Sequence, residues 1–223
     1  VTANGCNGPS AQTTRTITIT PTVGTPTAIT GTPPTCQLTN GTTTTTFATT
    51  ATNNTGFNWS LSNPAAGTIN ATTGVVTWAN GFSGSVDIRV TANGCNGPSA
   101  QTTRTITVNP NPTATAGPAL AAICQGQTSV AMGGSVGGGA TGGTWSGGAG
   151  TWTNANDPAT ATYTASASEF GTITLTLTTS GGSCGTTTAT KTITVNQNPT
   201  ATAGPALAAI CQGQTSVAMG GSV

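Results

Sequence analysis

The sequence lacks most of the side chains that carry chemistry. Among its 223 residues there is no histidine, only 3 % are charged, and the net charge is +1. An ordinary soluble domain is about 25 % charged. The ionisable side chains, apart from the cysteines and the single tyrosine, are Arg15, Asp87, Arg89, Arg104, Asp157, Glu169 and Lys191.

This shortage excludes several classes of function. General acid–base catalysis needs titratable groups placed close together, and the three acidic residues are far apart in the sequence. Zinc sites commonly use histidine, calcium sites use several carboxylates, and nucleic-acid binding needs a basic patch. No apolar run approaches the roughly 18 residues of a membrane-spanning helix. We therefore expect no enzymatic activity, no cofactor, no metal and no nucleic-acid partner.

Internal repetition organises what is present. Residues 1–18 recur letter for letter at 90–107, and residues 111–136 recur letter for letter at 198–223. The two offsets correspond to a period of about 88 residues, typical of a repeat array. The sequence predicts four segments: the end of a preceding repeat at 1–21, whole repeats at 22–109 and 110–196, and the start of a following repeat at 197–223.

Alternation of apolar and polar residues predicts β-strands. Val86, Ile88 and Val90 alternate with Asp87 and Arg89, and similar alternation precedes the end of each whole repeat. Short strands separated by Gly, Asn and Pro turns predict an all-β fold of tandem seven-stranded immunoglobulin-like sandwiches. In the first repeat we predict strands near 25–30, 42–51, 56–62, 67–70, 74–78, 84–92 and 101–108.

Aromatic residues mark the expected core of each sandwich. Trp59 and Trp145 occupy equivalent places in the two whole repeats, each followed by a phenylalanine, Phe82 or Phe170. Burial of an indole ring removes on the order of 200 Å² from water. We predict that all four rings belong to the cores.

The six cysteines suggest structural disulfides. Two pairs have similar spacing, Cys36 with Cys95 and Cys124 with Cys184, and no short metal-binding spacing is present. Free buried thiols are the alternative. We predict that each pair clamps one sandwich, in an oxidising extracellular compartment. Cys6 and Cys211 fall in the incomplete repeats, so we predict disulfide partners for them outside this sequence.

Other features allow either a functional or a purely structural interpretation. Trp78 and Trp152 are candidates for stacking against sugar rings, although packing within the sandwich is the simpler expectation. Lys191 is a candidate for an isopeptide crosslink, but no acidic residue lies near it in the sequence.

Two segments resemble a known group of proteins. Residues 58–99 read NWSLSNPAAGTINATTGVVTWANGFSGSVDIRVTANGCNGPS, and residues 143–184 read GTWSGGAGTWTNANDPATATYTASASEFGTITLTLTTSGGSC. They resemble the tandem immunoglobulin-like or PKD-like repeats of giant Bacteroidota surface proteins, including gliding-motility adhesins of the SprB type. The resemblance implies a stalk that is exported by type IX secretion and held at the outer membrane.

These observations lead to a prediction of function. We expect a shaft segment of a long cell-surface adhesin or filament, serving surface adhesion or gliding motility. The expected partners are neighbouring repeats of the same chain, identical chains at its sides, and anchoring or motility machinery through regions outside this sequence. The alternative is a multivalent module that binds glycans or surfaces weakly, with avidity from number.

Overall fold

The computed structural model describes residues 1–223, which form two compact units, Val1–Val108 and Asn109–Val223. Apart from one short 3-10 turn at Pro64–Ala66, all regular elements are β-strands. The predicted all-β class is therefore confirmed. No helix of the protein has the length and apolar character required to span a bilayer.

The first unit contains eight strands. The first two form a small hairpin near the N-terminus, and the other six build a sandwich. The strands are β1 (Asn4–Gly5), β2 (Gly8–Pro9), β3 (Thr44–Thr46), β4 (Asn54–Leu61), β5 (Gly67–Ile69), β6 (Val75–Trp78), β7 (Gly84–Gly94) and β8 (Thr102–Val108).

Two antiparallel sheets face each other across the core of the first unit. One has the order β3-β6-β5 and the other the order β4-β7-β8. An isolated bridge between Thr30 and Ala48 adds the segment before β3 to the edge of the first sheet. With segment 25–30 lettered A and strands β3 to β8 lettered B to G, the order is A-B-E-D in one sheet and C-F-G in the other, which is the order of a constant-type immunoglobulin sandwich.

The segment predicted as the first strand, 25–30, is an irregular edge. The backbone N–H groups of Gly24, Thr27 and Thr30 donate to backbone carbonyl oxygens within residues 48–52, at 2.8–2.9 Å. Pro26 has no N–H to contribute, which interrupts a regular ladder. This unit therefore has six sandwich strands and a bridged seventh segment.

The core of the first unit follows from the alternation in β7. Val86, Ile88, Val90 and Ala92 are buried, whereas the residues between them are only partly covered. Side chains from the opposite sheet, including Phe47, Val76 and Trp78, close the same cluster. Successive side chains of a strand point to opposite faces, so one face of each sheet carries the core.

The second unit has eight further strands. They are β9 (Pro112–Thr115), β10 (Ile123–Cys124), β11 (Ser135–Gly138), β12 (Gly142–Ser146), β13 (Thr151–Thr153), β14 (Thr162–Thr164), β15 (Gly171–Ser180) and β16 (Thr188–Asn196). The main sheet has the order β10-β16-β15-β12, in which β10 runs parallel to β16 and the other pairs are antiparallel. The pairs β9–β11 and β13–β14 form separate two-stranded sheets.

A second core lies within this unit. Its largest fully buried side chains are Trp145, Tyr163, Met132, Leu175 and Leu177. Leu175 and Leu177 alternate along β15 with threonines, as the sequence predicted. The second unit thus has a core of its own, built from different residues and under a different strand arrangement.

The terminal segments differ from the sandwiches. Residues 10–21 and 203–220 contain no strand or bridge, and the apolar side chains of 1–21 are exposed. In 197–223, a single bridge joins Thr202 to Ser222. That the segments 1–21 and 197–223 belong to further repeats stays a prediction.

Candidate functional site

Two cations occupy equivalent positions in the two units, and Arg104 is half-buried whereas Lys191 is buried. Arg104 lies in β8 and Lys191 in β16, and each is followed by the letters TITV. The Nη1 of Arg104 donates to the carbonyl oxygens of Ile29 and Gly31, at 3.3 and 2.9 Å. Its guanidinium lies 5.8 Å from the centre of the Phe47 ring. The side chain thus ties the first segment of the repeat to its last strand.

Lys191 makes the corresponding contacts in the second unit. Its Nζ donates to the carbonyl oxygens of Pro118 and Met132, at 2.9 and 2.6 Å, and lies 5.5 Å from the centre of the Trp145 ring. Burial lowers the pKa of Lys191, because removal from water disfavours its charged form. No acidic side chain contacts the amine, so the geometry gives no support for an isopeptide crosslink.

The buried carboxylate of Glu169 and the buried phenol of Tyr163 are hydrogen-bonded to each other in the second unit. The hydroxyl of Tyr163 donates to Oε2 of Glu169, and the Gly150 N–H donates to the same hydroxyl at 2.8 Å. The Ala149 N–H donates to Oε1 of Glu169 at 2.8 Å. Burial raises the pKa of Glu169, but the hydrogen bonds from Tyr163, Ala149 and Ser166 outweigh it, so its pKa is lowered overall.

The pKa of Tyr163 shifts in the opposite direction to that of Glu169. Burial, followed by the hydrogen bond to Glu169, raises the pKa of Tyr163 to about 12. The backbone at Gly148 has a φ of +71°, and a Cβ there would lie 2.0 Å from the phenol oxygen. A glycine is therefore required beside this pair. The arrangement fixes the loop 147–150 and engages both oxygens of the carboxylate in hydrogen bonds within the unit.

The remaining charged residues of the two units also bond internally. Thr105 donates to Asp87 at 2.8 Å and Arg89 donates to it at 3.1 Å; both hydrogen bonds lower the pKa of Asp87. Asp157 accepts hydrogen bonds from the backbone of Ala159 and Thr160, at 3.0 and 3.1 Å. Of the charged side chains, only Arg15 lies outside the two sandwiches, in an exposed segment.

The predicted core aromatics have different environments. Trp59 is 4 % exposed and Trp145 is 2 % exposed, both within the hydrophobic clusters. Phe82 is half-buried at the edge of its core. Phe170 is 62 % exposed, so its predicted core role is wrong. It lies three residues before Ile173, out of phase with the inward residues of β15, whereas Phe82 lies an even number of residues before Val86.

Several core side chains carry little signal in the sequence and were not predicted. Phe47, Met132 and Tyr163 are fully buried. Phe47 follows a run of five threonines, which carries almost no signal of which side chains face inward. Ala161, Tyr163 and Ala165 alternate with threonines. This alternation is hard to distinguish from the threonine-rich sequence around it.

The two candidate sugar-stacking tryptophans are engaged in packing. Trp78 is buried, and its Nε1 donates to the hydroxyl of Thr45 at 2.9 Å. Trp152 is half-buried and stacked on Trp145, with 6.0 Å between ring centres, and its Nε1 donates to the Gly147 carbonyl. Neither ring presents an open face of the kind that sugar stacking needs.

The cysteines do not form the predicted pairs. Cys36 and Cys184 are disulfide-bonded, whereas Cys95 and Cys124 are free thiols, as are Cys6 and Cys211. The predicted clamps Cys36–Cys95 and Cys124–Cys184 are therefore wrong.

The length of the strands explains this correction in the first unit. The residues after Cys36 bond to Gly81, just before β7 begins, and Cys95 follows the other end of β7. At about 3.3 Å per residue, this 11-residue strand separates the two cysteines by roughly 30 Å. A disulfide requires Cα atoms within about 7 Å.

The second unit repeats this geometry. Cys124 pairs with Asn196, and the adjacent Val195 lies opposite Gly171 at the start of β15. Cys184 lies beyond Ser180, the other end of the same strand. Equal spacing in the sequence thus reflected the repeat and not a contact within it.

Few other arrangements offer chemistry. A cleft of about 590 Å³ is lined by Val1, Gln12, Thr13, Thr14 and Arg15, all of them exposed. No group of three or more His, Cys, Asp or Glu side chains lies together in a way that suits a metal ion.

Comparison with known proteins gives structural likenesses only. No family model and no curated protein matches the sequence. Among solved structures, the chain is similar to Sidekick-1 immunoglobulin domains 1-5, at 13 % identity and a TM-score of 0.49, covering 79 % of this chain and 40 % of that one. It is also similar to protocadherin gammaB7 EC3-6, at 16 % identity and a TM-score of 0.34, covering 78 % and 50 %.

A bacterial structure is similar in the same way. The fibronectin(III)-like modules of Clostridium thermocellum CbhA match at 11 % identity and a TM-score of 0.32, covering 76 % of this chain and 95 % of that one. The chain thus spans less than two thirds of the Sidekick-1 and protocadherin chains. All three of these TM-scores are below 0.5, so the likenesses are distant.

Proposed function

We propose that this chain is a segment of the shaft of a long, repetitive cell-surface adhesin or filament. The observation that carries the proposal is the use of the charged side chains. All six in the two sandwiches bond inside their own unit, where they tie segments together or fix loops. Side chains spent on holding the fold are unavailable for binding or catalysis, so each unit serves as a building element.

The outer faces of the strands agree with this role. Threonines alternate with buried residues along β8, β15 and β16. Their β-branched side chains stiffen extended backbone, and their hydroxyls keep the surface hydrated. A nearly uncharged surface also has little electrostatic repulsion, so identical shafts would lie side by side at any salt concentration.

The cellular setting belongs to the same proposal. Disulfide-bonded cysteines fit an oxidising, extracellular compartment. The resemblance of residues 58–99 and 143–184 to SprB-type repeats supports the finer parts: Bacteroidota, outer-membrane attachment, type IX secretion and gliding motility. The partners proposed are adjoining repeats, identical chains, and anchoring or motility machinery bound through other regions of the protein.

The glycan-binding alternative gains no support from the tryptophans, since both candidate rings are packed. A glycan array probed with the 223-residue chain separates the two functions. The shaft predicts no saturable binding to any glycan. The matched control is Phe170→Ala, which removes an exposed ring. Saturable binding that Trp152→Ala abolishes and Phe170→Ala leaves intact would overturn the shaft and establish the binding module.

A further inference from the structure

Each sheet of the first unit has two edges, and all but one of these edges have a feature that hinders pairing with another chain. Pro26 interrupts the ladder of the bridged segment before β3, and β5 at the opposite edge of that sheet is only three residues long. In the other sheet, β4 has a bulge between Asn54 and Gly56, and its Trp59 N–H is already bonded to Ala71. The remaining edge strand is β8.

The free side of β8 presents a regular row of backbone groups. β8 pairs with β7 alone, without a shift in register. The N–H and C=O of Asp87 in β7 both bond to Ser62, on the β4 side. Thr105 lies opposite Asp87, so it directs its own N–H and C=O away from β7. Thr103 and Thr107, two residues away on either side, have the same orientation.

This edge has no charged side chain on its exposed face. The side chains of Thr103, Thr105 and Thr107 are exposed. Arg104 is the only charged residue of β8, and it lies on the face of Ile106, where it donates to carbonyl oxygens of the opening segment. Proteins commonly protect edge strands with charges, prolines, bulges or short length, and β8 has none of these on its free side. The edge is therefore open to another extended strand.

We propose that β8 pairs antiparallel with β8 of a second copy of this chain, about a two-fold axis at Thr105. The contact deepens the proposed shaft function, on which its cellular meaning rests. The axis places Thr105 opposite its own copy and Thr103 opposite Thr107 of the second copy. In this register, the residues of each such pair exchange two N–H···O=C hydrogen bonds. The two three-stranded sheets then form one continuous sheet.

A second copy suits the edge because the edge is complementary to itself. The register brings threonine side chains together as cross-strand pairs, which are favourable. It places Arg104 opposite Ile106 of the second copy, so no two cations face each other. The nearest charges on the outer face, Asp87 and Arg89, already bond to each other. A contact of one strand is small and therefore weak, but many such contacts along two parallel shafts would add avidity.

Amide hydrogen exchange at two protein concentrations tests the pairing. The free thiols of the 223-residue chain are capped with N-ethylmaleimide, and exchange is measured by NMR at micromolar and at millimolar concentration. The amides of Thr103, Thr105 and Thr107 should exchange at least about tenfold more slowly at the higher concentration. The amides of 12–18, which have the same letters as 101–107, should not change.

Two outcomes of this experiment would overturn the proposal. Unchanged exchange at Thr103, Thr105 and Thr107 would show that the edge does not pair, even if the chain associates through another surface. Slower exchange within 12–18 at the higher concentration would show that this segment, and not a second β8, occupies the edge.

Two matched variants test the register. Thr103→Lys with Thr107→Lys places like charges opposite each other across the axis, whereas Thr103→Lys with Thr107→Glu places opposite charges there. In sedimentation velocity, we expect the first variant to dimerise at least about tenfold more weakly than the second, with a larger difference at low salt. Thr14→Lys with Thr18→Lys makes the same changes in the exposed copy of these letters, and should dimerise like the unmodified chain.

Equal dimerisation of the two β8 variants, or an unmodified chain that stays monomeric at millimolar concentration, would overturn the edge contact. Neither result would bear on the shaft function itself, which the glycan array tests separately. Conversely, saturable glycan binding through Trp152 would overturn the shaft and leave the pairing of β8 to be decided by its own measurements.

Discussion

At the scale of single residues, the charged side chains have structural tasks that differ from the usual solvated surface charge. Arg104 and Lys191 each donate to two carbonyl oxygens from the opening part of their repeat and cover a core aromatic ring. A buried carbonyl that loses its donor costs about 1–3 kcal/mol. These cations therefore contribute more to stability than exposed ion pairs, which are generally worth less than about 1 kcal/mol.

Replacement of Arg104 tests this task with an internal control. Arg104→Met keeps an unbranched chain in place of the aliphatic part of Arg104 but removes the donor to the carbonyl oxygens of Ile29 and Gly31. We expect the unfolding free energy of the first unit to fall by about 2 kcal/mol. Arg15 lies in the same letters, TTRTIT, but in an exposed segment. Arg15→Met should leave the urea unfolding curve unchanged. Equal effects of the two substitutions would contradict the assigned role.

The Tyr163–Glu169 pair predicts a pH dependence in the alkaline range. The pKa of Tyr163 rises from its ordinary value of 10.0 to about 12 in the folded state, so the folded state holds its proton more tightly than the unfolded state. The resulting stability is fully present below pH 10 and is lost as the pH rises towards 12.

Denaturant unfolding between these pH values measures the loss, and Tyr163→Phe provides the reference because it removes the titrating hydroxyl but keeps the ring. The difference in unfolding free energy between the two proteins should shrink as the pH rises from 10 to 12. The lysine contribution is present in both and cancels. A constant difference would show that the hydroxyl is not held by Glu169.

At the scale of secondary-structure elements, two identical segments have different environments. Residues 101–107 lie in and before β8, where Ile106 is 5 % exposed and paired with β7. Residues 12–18 have the same letters, but Ile17 is 81 % exposed and no strand pairs with it. Tertiary partners, and not the local sequence, therefore decide which copy is a strand.

Hydrogen exchange measured by NMR tests this difference directly, since both copies have nearly the same intrinsic exchange rates. The amides of 103–107 that pair with β7 should exchange only on unfolding of the sandwich. Those of 15–18 should exchange at close to the rate of an unstructured peptide. Comparable protection in both copies would mean that 12–18 has a pairing partner.

The strands were predictable from the sequence where alternation was strong, and less so elsewhere. β4, β6, β7 and β8 begin and end within about two residues of the predicted positions, because one buried face imposes a period of two. The predicted strand 42–51 is regular only at Thr44–Thr46, since a threonine run carries almost no inward signal. The disulfides failed for another reason: sequence spacing does not state at which end of a strand a cysteine lies.

At the scale of the whole molecule, low charge predicts insensitivity to salt. The sandwiches contain a single ion pair, Arg89–Asp87, and it is partly exposed. Raising sodium chloride from about 0.02 M to about 0.5 M shortens the Debye length several-fold, but there are few charges to screen. We expect the unfolding free energy to change by less than about 1 kcal/mol, as measured by urea titration at each salt concentration. A larger change would reveal a charge network that the geometry does not contain.

The central claim, that these repeats form a shaft, is tested most directly by labelling intact cells that make the protein. An antibody raised against residues 22–196 is applied to unpermeabilised cells, followed by immunogold electron microscopy. The account predicts gold particles repeated along filaments that project from the cell surface. Label confined to the filament tips, or found only after permeabilisation, would contradict it.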